Sequence, residues 1–252
     1  MSIMVSHWPL KTIVGGVLLL LVCLLGLGPV QRILLPWVEN AYPAGLFCIE
    51  GMAERSVVLT IDDGLSCRTD EILDLLARHQ AQATFFLHTD SFQAPRATAM
   101  VARILAEGHT IGNHMPVDEP SRSLPPAIFA EKFAIADAAL RSQGIQPNYF
   151  RAAGGLYNAE VMLPSMGDWG YVERFVMASL LPWDTHLPFP HLYARYLASG
   201  IFPGAIVVFH DGEQVGPGRL NRTLISLEMF LETLDRRGYQ AIALPPPQQL
   251  PQ

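Results

Sequence analysis

The sequence lacks the features that would suit it to a polyanionic partner. Its 17 Lys and Arg against 23 Asp and Glu leave a formal net charge of -6, and the basic residues are scattered along the chain. With no basic face to displace counterions around phosphates, nucleic-acid binding is excluded as its business. Cysteine is scarce as well. Cys23, Cys48 and Cys67 have no zinc-knuckle spacing, and Cys23 sits inside an apolar run. Cys48 and Cys67 either pair in an oxidising compartment or stand as two buried thiols. No internal repeat is evident. What remains is a 252-residue chain, half of it apolar, enough for one large domain with an appendage.

The appendage is at the start. Thr12 to Val30 carries no charge, between Lys11 and Arg32. About 20 apolar residues span a bilayer core as a helix, so residues 1–35 are expected to be a single-pass transmembrane anchor, with a cleaved signal peptide as the rival reading. Flanking charge does not fix the orientation. Residues 36–54, with Pro43, Gly45 and Gly51, read as a linker, and 245–252, rich in Pro and Gln, as an extended or disordered tail.

Between them the pattern is rhythmic. Compact β-rich runs at 56–61, 83–87, 148–151, 205–210 and 241–244 alternate with helical spacing at 71–79, 128–141 and 224–236, the last stopped by Gly238. Such alternation predicts an α/β domain over residues 55–244, a parallel sheet with covering helices, open or closed as a barrel.

Chemistry-bearing residues gather where these runs end, which is where α/β and barrel enzymes build their sites. Asp62 and Asp63 follow a buried strand and precede Gly64. Two adjacent carboxylates there are costly unless a cation or base chemistry uses them. His114 and Asp118 are four apart, so on a helical turn both would face one side, as metal ligands often do. Arg151 leaves a strand shortly before Gly154 and Gly155, where it can neutralise a buried acid while glycine amides bind an oxyanion. Asp184 follows Trp183, and His210 ends the run 205–210. Each of these alone has a bland reading as a turn, a surface pair or a rim residue.

Together, in this order, they resemble the polysaccharide deacetylases with a NodB homology domain. That family's pattern of Thr-Phe-Asp-Asp-Gly, His-Ser/Thr-x-x-His, Arg-x-Pro-x-Gly, Asp-x-x-Asp-Trp and Leu-x-His is matched here by residues 60–64, 114–118, 151–155, Asp184 and 208–210. The resemblance covers about residues 55–244 and implies a distorted (β/α) barrel and metal-dependent removal of N-acetyl groups from N-acetylglucosamine polymers of chitin or peptidoglycan type. It further implies that Asp62 is the general base, that Asp63, His114 and Asp118 hold a divalent ion, zinc before cobalt or manganese, and that Arg151 orients Asp62. His210 becomes the general acid with Asp184 behind it, the Gly154 amide part of an oxyanion hole. Trp183, Tyr157 and Phe189 suit stacking on sugar faces.

The departures bear on the metal. Asp118 stands where the family has its second histidine, Ala153 replaces the proline, Thr185 the tryptophan and Val208 the leucine. Two anionic ligands would leave a divalent centre formally neutral and its water less acidic than one carboxylate with two imidazoles would. The readings left open beside the hydrolase are a membrane-anchored carbohydrate-binding protein with impaired catalysis and a hydrolase of a smaller amide. Because N-acetylated polymers lie outside the cytoplasm, an extracytoplasmic catalytic domain on a membrane stalk is expected, or a secreted one after signal cleavage.

Overall fold

The computed structural model describes residues 28–52, 55–182, 184, 188–211 and 217–250. All but the last three residues of the apolar run Thr12–Val30 therefore lie outside the described residues, as does Trp183. Among the described residues no helix is long and apolar enough to cross a membrane.

The central strand is β2, Ser56–Asp63. Its sequence SerValValLeuThrIleAspAsp is almost wholly apolar before the carboxylates, and every residue but the last is buried, as befits a parallel strand covered on both faces. It pairs in parallel with β3, Thr84–Leu87, and with β6, Ile206–His210, while β7, Gln240–Ile242, joins its first residues. β4, Thr110–Asn113, pairs with β3. The pairing then continues through a bridge from Asn113 to Phe150, from Phe150 to Phe175 in β5 (Phe175–Val176), and from β5 to β1 (Gly45–Leu46). An antiparallel bridge between Cys48 and Ala205 returns to the base of β6. The ring closes, so the expected distorted barrel is what forms, with single bridges where regular strands would be.

Alternation along the strands divides two packing layers. Val57, Leu59 and Ile61 of β2, Phe85 and Leu87 of β3, and Val207 and Phe209 of β6 face the helices. Val58, Phe86, Ile206, Tyr149 and Val176 form a separate inner cluster. The covering helices are α1 (Gly28–Ala41), α2 (Thr69–Arg78), α3 (Ala97–Ala106), α4 (Pro126–Ser142), α5 (Ala159–Asp168), α6 (Pro190–Gly200) and α7 (Pro217–Arg237). α2 and α7 follow the expected apolar spacing, burying Ile72, Leu73, Leu75 and Leu76 on the one and Leu227, Phe230, Leu231 and Leu234 on the other.

The segment between the apolar run and the domain is not a bare linker. Gly28–Ala41 is helical despite Pro36, and it packs along α6 where Gly28 meets Gly200 backbone to backbone. Gln31 is buried there and accepts from the Leu181 amide. Residues 45–48 then complete the barrel, so the folded body begins by Gly28. At the other end, Pro245 accepts from the Tyr149 hydroxyl, and Leu250 packs against the inner cluster, which ties most of the tail down. Cys48 and Cys67 are not paired with each other, and the Cys48 thiol donates to Glu39 at 3.3 Å, with burial pushing it up to about 12.

A Cβ on Gly200 would come within 2.7 Å of the Gly28 backbone and 2.8 Å of the Leu180 side chain. Gly200→Val is expected to lower stability by about 1–3 kcal/mol through overpacking at this crossing, read as a drop in thermal midpoint with the catalytic motifs untouched.

Candidate active site

Strand parity delivers most of the site. On β2 the residues facing inward are Val58, Thr60 and Asp62. On β6 they are Ile206, Val208 and His210, and register sets Asp62 directly beside His210. Continuing the same parity past the ends of β3 and β4 gives His88 after Phe86 and His114 after Gly112. Arg151 shares the inward side with Tyr149. Asp63 would face the opposite way in regular β geometry, but it leaves that geometry at φ 74°. Both carboxylates thus reach one cavity of about 600 Å³, which Asp62, Asp63, His114, Asp118, Arg151, Gly154 and His210 all line.

Asp62 is only 4% exposed, and its burial is offset by Arg151. The guanidinium donates to Asp62 Oδ1 at 2.5 Å, to Thr60 Oγ1 at 2.8 Å and, through Nε, to the Val176 carbonyl at 3.0 Å. It also lies 4.4 Å over the centre of the Phe86 ring. Gly112 makes room for that ring, since a Cβ there would stand 2.5 Å from it. Arg151 occupies Oδ1 and leaves Oδ2 turned toward His114, 4.0 Å from its Nε2.

His210 is anchored from behind. Its Nδ1 is 2.9 Å from Asp184 Oδ1, and its backbone amide donates to Asp184 Oδ2 at 2.9 Å. With Asp184 3% exposed, the carboxylate is committed to this histidine on both oxygens. Burial opposes the imidazolium, yet Asp184, reinforced by Asp62 and Asp63, raises the His210 pKa to about 9. Its Nε2 is the free end.

Asp63, His88 and His114 form a third group, each offering a ligand atom within 4.8 Å of the others'. His114 Nδ1 donates to the Arg151 carbonyl at 2.8 Å, which leaves Nε2 as an acceptor 3.7 Å from Asp63 Oδ1. Burial lowers the His114 pKa to about 4, keeping the ring neutral and ligand-competent. Burial also works against the Asp63 anion, but His88 and the imidazoles of His210 and His114 overcome it and hold the carboxyl well below its usual range. Both ring nitrogens of His88 are buried without a well-formed hydrogen bond, Nε2 facing Asp63 Oδ1 at 3.4 Å, an arrangement that a cation would complete. One carboxylate and two imidazoles suit a divalent ion of the zinc type.

Asp118 is placed differently from its expected role. Residues 114–118 run as an irregular bend with Met115 at φ 72°, so the helical-turn spacing that would align Asp118 with His114 does not form. Asp118 is an exposed residue of the cavity wall, outside the Asp63, His88 and His114 group. Gly154 has φ 79° and borders the cavity beside Pro120. Of the three aromatics, Tyr157 lines the cavity and stacks on Phe175 at 4.1 Å, Phe189 is 58% exposed, and Trp183 lies outside the described residues. His88 and Thr60 were not singled out by sequence reasoning. For His88 the signal was present, a histidine directly after a β-rich run, as with His210.

Comparison with known proteins agrees with this geometry. A family model described as polysaccharide deacetylase matches residues 50–173. A chitooligosaccharide deacetylase of a Bradyrhizobium species is 32% identical over 202 residues, 76% of this chain and 90% of that one. The chain belongs to the polysaccharide deacetylase family. It is accordingly an enzyme of the hydrolase class that cleaves carbon–nitrogen amide bonds. A peptidoglycan N-acetylglucosamine deacetylase of Bacillus cereus is 28% identical over 202 residues, 76% of this chain and 87% of that one. Among solved structures, a peptidoglycan N-acetylglucosamine deacetylase superposes with a TM-score of 0.70 at 24% identity, covering 83% of this chain and 94% of that one. A CE4 family pseudoenzyme from Bacillus anthracis gives 0.64 at 20%, covering 76% and 64%. A fold that hosts both shows architecture alone, and it is the family's side chains that bear on activity.

Arg151→Leu leaves Asp62 buried without its counter-charge. Loss of about 3–5 kcal/mol is expected, read by urea unfolding at neutral pH.

Proposed function

We propose that this deacetylase removes N-acetyl groups from N-acetylglucosamine units of a chitin-like or peptidoglycan-like glycan, with the help of a divalent ion, zinc before cobalt or manganese. The observation that carries the reading is the opposition, in one cavity, of a carboxylate held by Arg151 and a histidine held by Asp184, side by side across the β2–β6 register. The naming of relatives that act on chitooligosaccharides and on peptidoglycan supports the substrate class.

Amide hydrolysis needs an activated water, a polarised carbonyl and a proton for the departing amine. A divalent ion, when bound, supplies Lewis acidity that polarises a carbonyl and acidifies water. The chain's own groups divide the rest. Asp62, with Oδ1 taken by Arg151, has Oδ2 to accept the proton of the attacking water. Arg151 pairs with that carboxylate and fixes its direction. The Gly154 amide would donate to the developing oxyanion. His210, its Nδ1 bonded to Asp184, carries the proton at Nε2 for the leaving nitrogen, without which an amide anion would have to depart. Trp183 and Tyr157 would flank the sugar, and Asp63 and His114 would hold the metal.

The pH dependence follows from His210. Its acid form is required, so activity should fall as pH rises through a limb at or slightly below about 9, a nearby divalent cation opposing the imidazolium. In Asp184→Asn the carboxylate's support is gone, and the limb should move down toward the ordinary histidine range near about 6.5. An unmoved limb in kcat/KM against pH would assign it to another group.

The direct test is acetate release from N-acetylglucosamine oligomers by chelator-stripped protein, before and after zinc, cobalt or manganese. Metal-restored release, reduced by about 100-fold or more in Asp62→Asn, is expected. Folded protein that releases no acetate with any metal overturns the proposal. We place the protein at a membrane through the run Thr12–Val30, with its catalytic domain outside the cytoplasm. The full chain should sediment with membranes through a carbonate wash, and removal of residues 1–27 should release it.

A further inference from the structure

We propose that the metal site of this protein has been rebuilt, with His88 on the strand next to His114 serving as the second imidazole ligand and Asp118 released from ligation. The inference rests on the metal-dependent reading above and deepens it. In the family pattern both histidines come from one segment, four residues apart. Here three neighbouring parallel strands each deliver one donor at their C-terminal end: Asp63 closes β2, His88 follows β3, and His114 follows β4.

Backbone pairing sets this arrangement. Asp63 lies opposite Leu87, and Leu87 opposite Asn113. The next rung is held by the His88 amide donating to the Asp63 carbonyl at 3.0 Å and the His114 amide donating to the Leu87 carbonyl at 3.2 Å. The two imidazoles therefore stand in register on adjacent strands, stacked with centroids 4.5 Å apart and 22° between planes. His88 Nε2 is 3.4 Å from Asp63 Oδ1, the same oxygen that His114 Nε2 approaches at 3.7 Å.

Burial separates the two claimants. His88 is 3% exposed, with Nδ1 buried without a partner among the described residues and Nε2 facing the Asp63 carboxylate at 3.4 Å, outside good hydrogen-bond geometry. Asp118 is an exposed residue of the cavity wall, where water satisfies its carboxylate. A buried imidazole facing a carboxylate and stacked on a second imidazole has a reason to be there if it ligates, whereas an exposed carboxylate needs none. The exchange also alters the charge of the site. Asp63 with two neutral histidines leaves a divalent ion with one net positive charge, where two carboxylates would have cancelled it, so the Lewis acidity that an Asp118 ligand would have forfeited is kept.

The test is metal binding, read without turnover. Full-length protein is stripped with chelator and titrated with cobalt(II), following the visible d–d absorption of the bound ion, with far-UV circular dichroism confirming the fold of each variant. His88→Gln, close in volume to the original, and His88→Ala should both weaken cobalt affinity by about 100-fold or more, since loss of a direct ligand costs at least as much as loss of a supporting contact. Asp118→Asn should leave the affinity within about threefold and the spectrum unchanged. Retained affinity in both His88 variants overturns the proposal, whether or not Asp118→Asn loses it. If wild type binds cobalt and releases acetate in that case, the deacetylase reading stands without the rebuilt site. If folded wild type binds no metal, both fall.

Discussion

The site depends on the parallel register of β2. Side chains alternate from face to face along a strand, and a slip of one residue would send Asp62 outward among the helices and bring Ile61 into the cavity. The register is fixed by apolar packing on both faces, with Val57, Leu59 and Ile61 against the helices and Val58 inside the barrel. Pairing with β6 then sets Asp62 beside His210, and pairing with β3 sets His88 one rung beyond Leu87. Asp63 is the one site residue whose parity is wrong, and its backbone leaves extended geometry at φ 74°. Holding a non-glycine residue there costs on the order of 1–2 kcal/mol, which the surrounding ladder is able to bear.

Given that scaffold, the electrostatics form a chain of dependencies rather than a set of separate pairs. Asp62 can be buried because Arg151 is, and Arg151 can be buried because Thr60, the Val176 carbonyl and the Phe86 ring complete its surroundings. The Arg151 carbonyl also fixes the tautomer of His114, so one residue orients both Asp62 and His114. Across the cavity Asp184 raises the proton affinity of His210, while burial keeps His114 neutral. Two histidines lining one cavity are thus set to opposite tasks by their neighbours, one to hold a proton and one to offer a lone pair.

Most of the barrel was legible because its strands are short, β-branched and apolar, and because its helices α2 and α7 carry one-sided spacing. β1, β4 and β5 were not, since Gly45–Leu46 and Phe175–Val176 are too short to carry a periodic signal and exist only because the barrel must close, and Thr110–Asn113 holds a single large apolar residue. Helix α1 was hidden for a different reason. Its sequence GlyProValGlnArgIleLeuLeuProTrp runs on from an apolar segment and contains Pro36, and what marks it as part of the folded body is its Gly28 contact with Gly200, 172 positions away along the chain.

The sequence by itself determined the family, the order of the motifs and the placement of Asp62, Arg151 and His210 at strand ends, because such placement is local, while Asp184 was marked only by its order among the motifs. It did not determine which side chains come together as a candidate cation site. The spacing of His114 and Asp118 pointed to a pair on one helical turn, but the chain bends at Met115 and leaves Asp118 exposed. His88, 26 residues before His114, arrives beside it only through the β3–β4 ladder. Proximity across strands is a property of register and closure, which a linear pattern of residues does not contain.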